Sequence, residues 1–148
     1  MHIRPLVAED RLEWLRMRNL LWPDEPEDIR TEIDDFLSGK SPFMEIIFVA
    51  ERESGGLGGF VEVSRRVYAD GCRTSPVGYL EGLYVDPDLR EQGVARSLVE
   101  AAESWAIAKG CKEMGSDCYI DNEISRRVHL ALGYEEKERI ICFCKKLA

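Results

Sequence analysis

A strand, a short polar loop and a long amphipathic helix follow one another between residues 77 and 109, and this segment constrains the fold most. Val77–Val85 is rich in β-branched and aromatic residues, which predicts a strand, and Gly82 inside it predicts a bulge. Residues 94–109 place apolar side chains on one face at helical spacing, and Gly110 follows as a helix terminator. A strand that leads into a helix through a loop is typical of layered α/β or α+β domains.

The spacing of apolar residues along the rest of the chain predicts a mixed order of elements, β-α-α-β-β-β-α-β-α-β. Strands are predicted at residues 3–6, 46–50, 58–67, 113–119 and 134–146, and helices at residues 8–19, 27–37 and 123–132. This order and a length of 148 residues predict one domain, residues 1–148. We expect its fold class to be α/β (α+β), with a central mixed sheet flanked by helices on both faces.

The charge balance excludes some partners and favours others. The chain has 20 Lys plus Arg against 28 Asp plus Glu, a formal net charge of −8. Because no basic cluster is interleaved with aromatic residues, we expect no nucleic-acid partner. No apolar run approaches the length of about 20 residues that crosses a bilayer, and we expect no membrane partner. An acidic cleft would instead attract cations.

The cysteines are typical of a protein from a reducing compartment. Their number is odd, their spacing is irregular and no CxxC pair is present, so we expect neither a disulfide framework nor a metal site. We expect free, mostly buried thiols and a cytoplasmic location, with two of the cysteines on one late strand. The five residues are Cys72, Cys111, Cys118, Cys142 and Cys144.

The loop before the long helix is a candidate phosphate site. Arg90 is followed by Gly93 and Ala95, two small residues that let a ligand approach the backbone. The first amides of a helix have no intrahelical acceptor and carry the positive end of its dipole. The pattern is neither a Walker loop nor the GxGxxG fingerprint, and a plain strand-to-helix loop remains the alternative.

The same loop resembles the acetyl-CoA motif of the GNAT superfamily of N-acetyltransferases. The matching residues are Val85-x-Pro87-x-x-Arg90-x-x-Gly93-x-Ala95. A second match is the late helix with Asn122, Ser125 and His129, which ends in Leu132-Gly133-Tyr134 and resembles the Leu-Gly-Phe ending of the family. The predicted element order also matches that fold over nearly the whole chain, so the resemblance implies an acetyltransferase fold and acetyl-CoA as co-substrate.

Other stretches resemble bacterial aminoglycoside 6'-N-acetyltransferases. They include Leu21-Trp22-Pro23, Leu80-Glu81-Gly82 and Ser116-Asp117, and acetyl-CoA binding requires neither Trp22-Pro23 nor Ser116-Asp117. The resemblance implies an enzyme that moves acetyl to the 6'-amine of an aminoglycoside by direct attack, confers resistance and forms a homodimer. Two alternatives remain open: a related enzyme for another small amine such as a polyamine, and a CoA-binding module without turnover.

The resemblance also implies roles for individual residues. The catalytic candidates are Glu81 and Asp117, either of which could take the proton of the amine. The acceptor is expected to contact Trp22, Tyr68, Glu81, Asp117 and Glu138. The CoA contacts are expected at Leu83, Tyr84, Val85, Arg90, Glu91, Gln92, Gly93, Val94, Ala95, Arg96 and Asn122.

Several of these residues also have an ordinary structural interpretation. Trp22 could be a core residue at a helix end, Tyr68 a loop residue, and Glu138 a solvated charge. His129 occupies the position where many family members have a tyrosine that protonates the leaving thiolate, and packing explains it as well. The acidic residues between Asp24 and Asp35 could form a solvated helix face or a lip that attracts a cationic substrate.

Overall fold

The computed structural model describes the backbone of residues 1–148 and every side chain except that of Pro26. It consists of two compact units, Met1–Ser116 and Asp117–Ala148. The first unit contains, in chain order, β1 (His2–Pro5), α1 (Arg11–Leu21), α2 (Pro26–Leu37), β2 (Ile46–Glu51), β3 (Leu57–Arg66), β4 (Val77–Val85), α3 (Val94–Ala108) and β5 (Met114–Gly115). The second unit contains α4 (Glu123–Ala131).

The sheet of the first unit is mixed, as predicted. Its strand order is β1-β2-β3-β4-β5, and the first four strands are antiparallel to their neighbours. β5 pairs with β4 in parallel and only over Gly78 and Tyr79. The edge of β4 that faces β5 is therefore covered at its start and open towards its end.

Helices cover both faces of this sheet. A methyl group on Gly59 of β3 would lie 3.2 Å from Leu98 of α3, whereas the next residue, Phe60, shares a core cluster with Trp14 of α1. Because successive strand residues point to opposite faces, α1 and α3 lie on opposite sides. The α1 side also contains α2, whose Ile29 and Ile33 are buried in the same cluster. This confirms the predicted arrangement of helices.

The predicted bulge in β4 is confirmed. Glu62 of β3 lies opposite Gly82, but the next residue, Val63, lies opposite Leu80. Glu81 is thus the extra residue of the bulge. Because an inserted residue breaks the alternation of side chains, the bulge redirects Glu81 relative to a regular strand.

The end of the chain differs from the prediction. The strand expected at residues 113–119 is limited to Met114–Gly115, and residues 134–146 form no strand in the described structure. Alternating apolar residues indicate strand propensity, but a strand also needs a hydrogen-bonded neighbour, and none of the described strands pairs with these residues. The cysteines are free as predicted, but the expectation of mostly buried thiols is wrong, because Cys118, Cys142 and Cys144 are exposed.

Candidate active site

A cavity of about 260 Å³ opens beside the bulge of β4, between this strand and helices α1 and α2. Five carboxylates and one arginine are among the side chains that line it. The full lining is Arg18, Trp22, Glu25, Asp28, Ile29, Glu32, Phe43, Met44, Glu62 and Glu81. We call this cavity the acidic pocket. Its charge and its tryptophan wall suit a ligand that carries several ammonium groups.

Trp22 reaches the acidic pocket because Gly82 has no side chain in its way. It follows the last residue of α1, and its ring packs over the backbone of Gly82. A methyl group on Gly82 would lie 2.8 Å from Cη2 of Trp22, closer than side chains tolerate. The glycine inside the strand is therefore required by the approach of an aromatic ring, which lines the acidic pocket.

A buried ion pair forms the floor of the acidic pocket. Arg18 of α1 donates from Nε to Glu62 Oε2 at 2.7 Å and from Nη2 to Glu32 Oε2 at 2.6 Å. The side chains of Arg18 and Glu62 are 3% and 1% exposed. Trp14 Nε1 donates a further bond to Glu62 at 3.0 Å. Burial raises the pKa of Glu62 above its ordinary value, although these donors oppose the shift.

The arginine of this pair also supports the tryptophan wall. The guanidinium carbon of Arg18 lies 4.8 Å from the ring centroid of Trp22 and 5.6 Å from that of Trp14. A cation over an aromatic face attracts the ring, and this contact orients Trp22 towards the pocket.

Sequence reasoning missed Arg18 and Glu62, whereas Glu32 belongs to the acidic stretch considered above as a lip, of which Glu25, Asp28 and Glu32 line the pocket. A signal for the two missed residues was present. Arg18 lies one turn after Trp14 on the apolar stripe of α1, and Glu62 shares a strand face with Phe60. A charged residue at an apolar position on each of two neighbouring elements indicates a buried pair.

Glu81 lines the acidic pocket and already has an ion-pair partner. Its side chain is 15% exposed and forms an ion pair with Arg66, the last residue of β3. Ser64 Oγ donates to Glu81 Oε2 at 3.3 Å. The structure thus brings together two of the predicted acceptor residues, Trp22 and Glu81. Tyr68 is exposed, donates to Asp70 Oδ1 at 3.0 Å and does not line this pocket.

Three predicted site residues belong to the second unit, where all three are exposed: Asp117, Asn122 and Glu138. The side-chain oxygen of Asn122 accepts a hydrogen bond from the Ser125 amide at 3.1 Å and caps the start of α4. His129 Nδ1 donates to the carbonyl oxygen of Ser125 at 2.7 Å, and its ring stands edge-on to Tyr134 with 6.0 Å between centroids. Capping and packing thus engage Asn122 and His129 within their own unit.

The open edge of β4 and the start of α3 fit a long ligand with a diphosphate. Among the described residues no strand covers the β4 edge from Leu80 to Val85, so its backbone groups are available. α3 begins after Gly93 and has no acidic residue in its first turn, so the positive end of its dipole is uncompensated. The loop of residues 86–93 joins the open edge of β4 to the start of α3.

The loop between them contains two residues in the left-handed region. Glu91 has φ +61° and Gly93 has φ +83°. Left-handed residues that alternate with right-handed ones are typical of an anion-binding concavity made of backbone N–H groups. A methyl group on Gly93 would meet no atom within 4 Å, which leaves open space in front of the helix. Arg90 Nε donates to the Val85 carbonyl at 2.9 Å and ties the loop back to the strand.

Asp86 anchors the start of this loop. Its buried carboxylate accepts two bonds of 3.0 Å from Arg16 of α1 and one of 2.9 Å from Arg52. Burial by itself would raise the pKa of Asp86, but the arginine bonds outweigh it and hold the pKa below the ordinary range. The anchor therefore joins β4, α1 and the segment after β2 where the loop begins.

The described residues include neither a metal-binding cluster nor a membrane-spanning helix. No group of three or more His, Cys, Asp or Glu side chains in that part of the molecule could hold a metal ion. No helix built from those residues combines the length and the apolar character that a membrane crossing needs.

Comparisons with known proteins agree with this geometry. The acetyltransferase (GNAT) family matches residues 10–134. An aminoglycoside N(6')-acetyltransferase type 1 from Klebsiella aerogenes is 42% identical over 146 residues, which cover 98% of this chain and 96% of that relative. The solved apo structure of an aminoglycoside antibiotic 6'-N-acetyltransferase from Acinetobacter haemolyticus has a TM-score of 0.91 at 36% identity, and covers 100% of both chains. The structure of AAC(6')-Iy with a bisubstrate analog, CoA-S-monomethyl-acetylneamine, has a TM-score of 0.89 at 38% identity over 99% of this chain and 98% of that one.

Proposed function

Because this chain belongs to the acetyltransferase (GNAT) family, we propose that it transfers the acetyl group of acetyl-CoA to the 6'-amine of an aminoglycoside antibiotic. The observation that carries the proposal is the acidic pocket beside the β4 bulge, next to the open edge of the same strand. A polycationic acceptor fits the pocket, and an extended thioester fits the edge. Acetylation removes the positive charge of the amine, which would weaken the binding of the drug to its own target and confer resistance.

The acetyl-CoA half of the reaction rests on the loop and strand described above. We infer that the amides of residues 90–96 hold the diphosphate at the start of α3. Leu83, Tyr84 and Val85 offer backbone hydrogen bonds to the pantetheine arm along the open edge, and one of these N–H groups polarises the acetyl carbonyl. Asn122 is proposed as a further contact to that arm, and this role competes with its capping bond to Ser125.

The acceptor half rests on carboxylates. We infer that Glu81 binds the reacting ammonium group, that Trp22 packs against its ring, and that Tyr68, Asp117 and Glu138 contribute further acceptor contacts. Glu81 or Asp117 takes the proton of the ammonium, directly or through water. The neutral amine nitrogen then attacks the thioester carbonyl and a C–N bond forms. The C–S bond breaks, its electron pair leaves with the CoA sulfur, and the thiolate takes up the second proton that the nitrogen loses as it becomes an amide. The conjugate acid of this thiolate has a pKa of about 8.5, so it is a tolerable leaving group.

Alanine substitutions of the two catalytic candidates test this assignment. Loss of a general base costs about 10²- to 10⁴-fold, so kcat/KM for kanamycin should fall by that factor in Glu81→Ala or Asp117→Ala. Glu53→Ala, which removes a carboxylate that is 94% exposed, is the matched control and should behave as wild type. Normal kcat/KM in both Glu81→Ala and Asp117→Ala would contradict the assignment.

A polyamine acetyltransferase is the second candidate, because the acidic pocket suits any acceptor with several ammonium groups. A thiol-release assay with kanamycin, tobramycin, spermidine and a peptide panel separates the two. Turnover of the aminoglycosides and none of spermidine supports the first proposal. Turnover of spermidine alone would replace it, and binding of CoA with no turnover of any acceptor would indicate a non-catalytic module.

We also propose that residues 1–148 act as one acetyltransferase domain in the cytoplasm. The family match over residues 10–134 crosses the boundary between the two compact units, which supports a single functional domain. Five free cysteines are typical of a reducing compartment, where acetyl-CoA is also made.

We propose further that the chain forms a homodimer through its second unit. Residues 134–148 carry apolar side chains on a segment that pairs with none of the described strands, and Ile141 and Phe143 are 80% and 91% exposed. Large exposed apolar side chains in one segment mark an interaction surface. A second copy offers an identical segment, so strand pairing between copies would satisfy the backbone and cover these side chains.

Light scattering tests the homodimer. The wild-type mass should be twice the 16.9 kDa of one chain, and Ile141→Asp with Phe143→Asp should reduce it to one chain. Ile107→Asp, a change at an exposed apolar residue of α3, is the control and should leave the mass at two chains. A wild-type monomer at micromolar concentration would contradict the proposal.

A further inference from the structure

Glu81 differs from the other carboxylates of the acidic pocket in having an exposed arginine as its partner. Arg66 Nη2 donates to both carboxylate oxygens, with 2.9 Å to Oε2. The Arg66 side chain is 42% exposed, whereas Glu81 is 15% exposed. The arginine therefore approaches from the solvent side, the side from which a dissolved cation would also arrive.

The remaining pocket carboxylates fall into two other classes. Glu32 and Glu62 share Arg18, which is almost fully buried and bound on several sides, so this cation is a fixed part of the fold. Glu25 and Asp28 form no ion pair with any described residue. Glu81 alone among the described pocket carboxylates has an ion-pair partner that water can reach freely.

Arg66 also has a second contact that does not depend on Glu81. Its guanidinium carbon lies 3.5 Å from the ring centroid of Tyr79, a buried residue of β4. A guanidinium group stacks well on an aromatic face. If a substrate cation takes the carboxylate, the stacking contact can still hold the arginine near the pocket, which lowers the cost of exchange.

We propose that Arg66 is a specificity-determining residue that occupies Glu81 in place of the substrate ammonium and is displaced by it. The inference rests on the function proposed above. An acceptor must release the arginine before it can bind Glu81, so its apparent affinity is reduced by the fraction of time that the ion pair is formed. The factor is the same for every acceptor that displaces Arg66. A ligand with several ammonium groups still binds through its other carboxylate contacts, whereas the weaker affinity of a simple amine falls below a useful level. Arg66 thus raises the threshold that an acceptor must pass to bind at Glu81.

Calorimetric titration of kanamycin and of spermidine into Arg66→Ala tests the proposal. The dissociation constant of each ligand should fall by about 3- to 10-fold, the range for a charged pair that is partly shielded from water. Arg66→Gln, which keeps a polar side chain without the charge, should give the same direction and serves as a second variant. The dissociation constant of acetyl-CoA should not change in either.

Arg65→Ala is the matched control. Arg65 is the neighbouring residue on β3, but it contacts Glu45 and the Trp105 ring of α3, outside the acidic pocket. The Arg65→Ala substitution removes the same charge and should leave the dissociation constants of kanamycin and spermidine at their wild-type values. In a Glu81→Gln background, Arg66→Ala should bring no gain, because the competing pair is already gone.

Unchanged or weaker binding of both ligands to Arg66→Ala and Arg66→Gln would overturn the proposal, since it would mean that Arg66 orients Glu81 for the ligand and does not compete with it. Turnover of kanamycin by the wild-type enzyme tests the proposed function separately. Tighter binding to the Arg66 variants without turnover by the wild-type enzyme would contradict the proposed function and support the role of Arg66. Turnover by the wild-type enzyme without tighter binding to the variants would support the function and contradict the role of Arg66.

Discussion

The positions of two side chains at the acidic pocket depend on the backbone of β4 at the bulge. Trp22 enters the pocket because Gly82 has no side chain, and Glu81 faces it because the bulge adds one residue to β4. The stack of Arg18 on Trp22 then holds the ring in place. Gly82 and the bulge beside it therefore determine the positions of both Trp22 and Glu81.

Gly82→Ala should therefore disturb the acceptor pocket. The added methyl group would lie 2.8 Å from Trp22, and overpacking of this kind costs about 1–3 kcal/mol. Displacement of Trp22 should raise KM for kanamycin by about tenfold, which corresponds to about 1.4 kcal/mol, and should not change KM for acetyl-CoA.

Gly78→Ala is the control on the same strand, because its methyl group would lie 2.8 Å from Ala106 of α3. It should lower the melting temperature without a change in either KM, and equal KM effects in the two variants would contradict the role of Gly82.

At the scale of elements, β4, the loop that follows it and α3 form one working unit. The strand supplies a free edge, Asp86 ties the loop to two arginines, and the first turn of α3 presents amides without an acidic side chain beside them. A loop that must present several N–H groups to an anion needs left-handed residues, and Gly93 is one of them. The binding geometry therefore depends on backbone conformation more than on side chains.

Gly93→Ala separates binding from stability. Gly93 and Gly110 flank the same helix, have φ +83° and +87°, and neither has an atom within 4 Å of an added methyl group. Alanine in this conformation costs about 1–2 kcal/mol, so both variants should lose similar free energy of unfolding. Only Gly93→Ala should raise KM for acetyl-CoA, as measured by steady-state kinetics. An equal rise in Gly110→Ala would show that stability alone explains the effect.

Asp86 should leave a signature in the pH dependence of stability. Its pKa is lower in the folded state than in the unfolded chain, so its contribution is present above the ordinary value of about 3.9 and is lost as the pH falls through the folded pKa. Asp86→Asn should cost about 1–3 kcal/mol near pH 7, and this difference from wild type should shrink below about pH 4 in urea unfolding. Asp88→Asn, at an exposed partner of Arg52, should change little. A constant difference at all pH values would contradict this account.

For the whole molecule, the net charge of −8 has the same sign as the excess of carboxylates that line the acidic pocket. A polycationic acceptor is attracted both by the overall field and by the local carboxylates, and both attractions weaken with salt. Acetyl-CoA is an anion and gains nothing from this field. The charge of the chain therefore favours the acceptor, and the proposed binding of the co-substrate depends on the amides at the start of α3.

Two neighbouring residues of α2 distinguish the local from the overall effect. Asp28 lines the acidic pocket and Glu27 does not, and both are exposed. Asp28→Lys should raise KM for tobramycin by about fivefold or more and reduce its salt dependence, and Glu27→Lys, with the same change in net charge, should have a smaller effect. KM for acetyl-CoA should not rise in either. Equal effects of the two substitutions on tobramycin would assign the attraction to net charge alone.

The sequence alone determined most elements, the bulge at Gly82, the glycine-bearing loop before α3 and the family resemblance, because propensity, periodicity and turn chemistry are local properties. It also proposed Trp22 and Glu81 as acceptor contacts, and both line the acidic pocket. Only the tertiary structure decided that Arg18 and Glu62 form the floor of that site, that Arg66 occupies Glu81, and that residues 134–146 form no strand. An ion pair or a strand pairing joins residues far apart in the chain, and no local pattern specifies which partner the fold brings near.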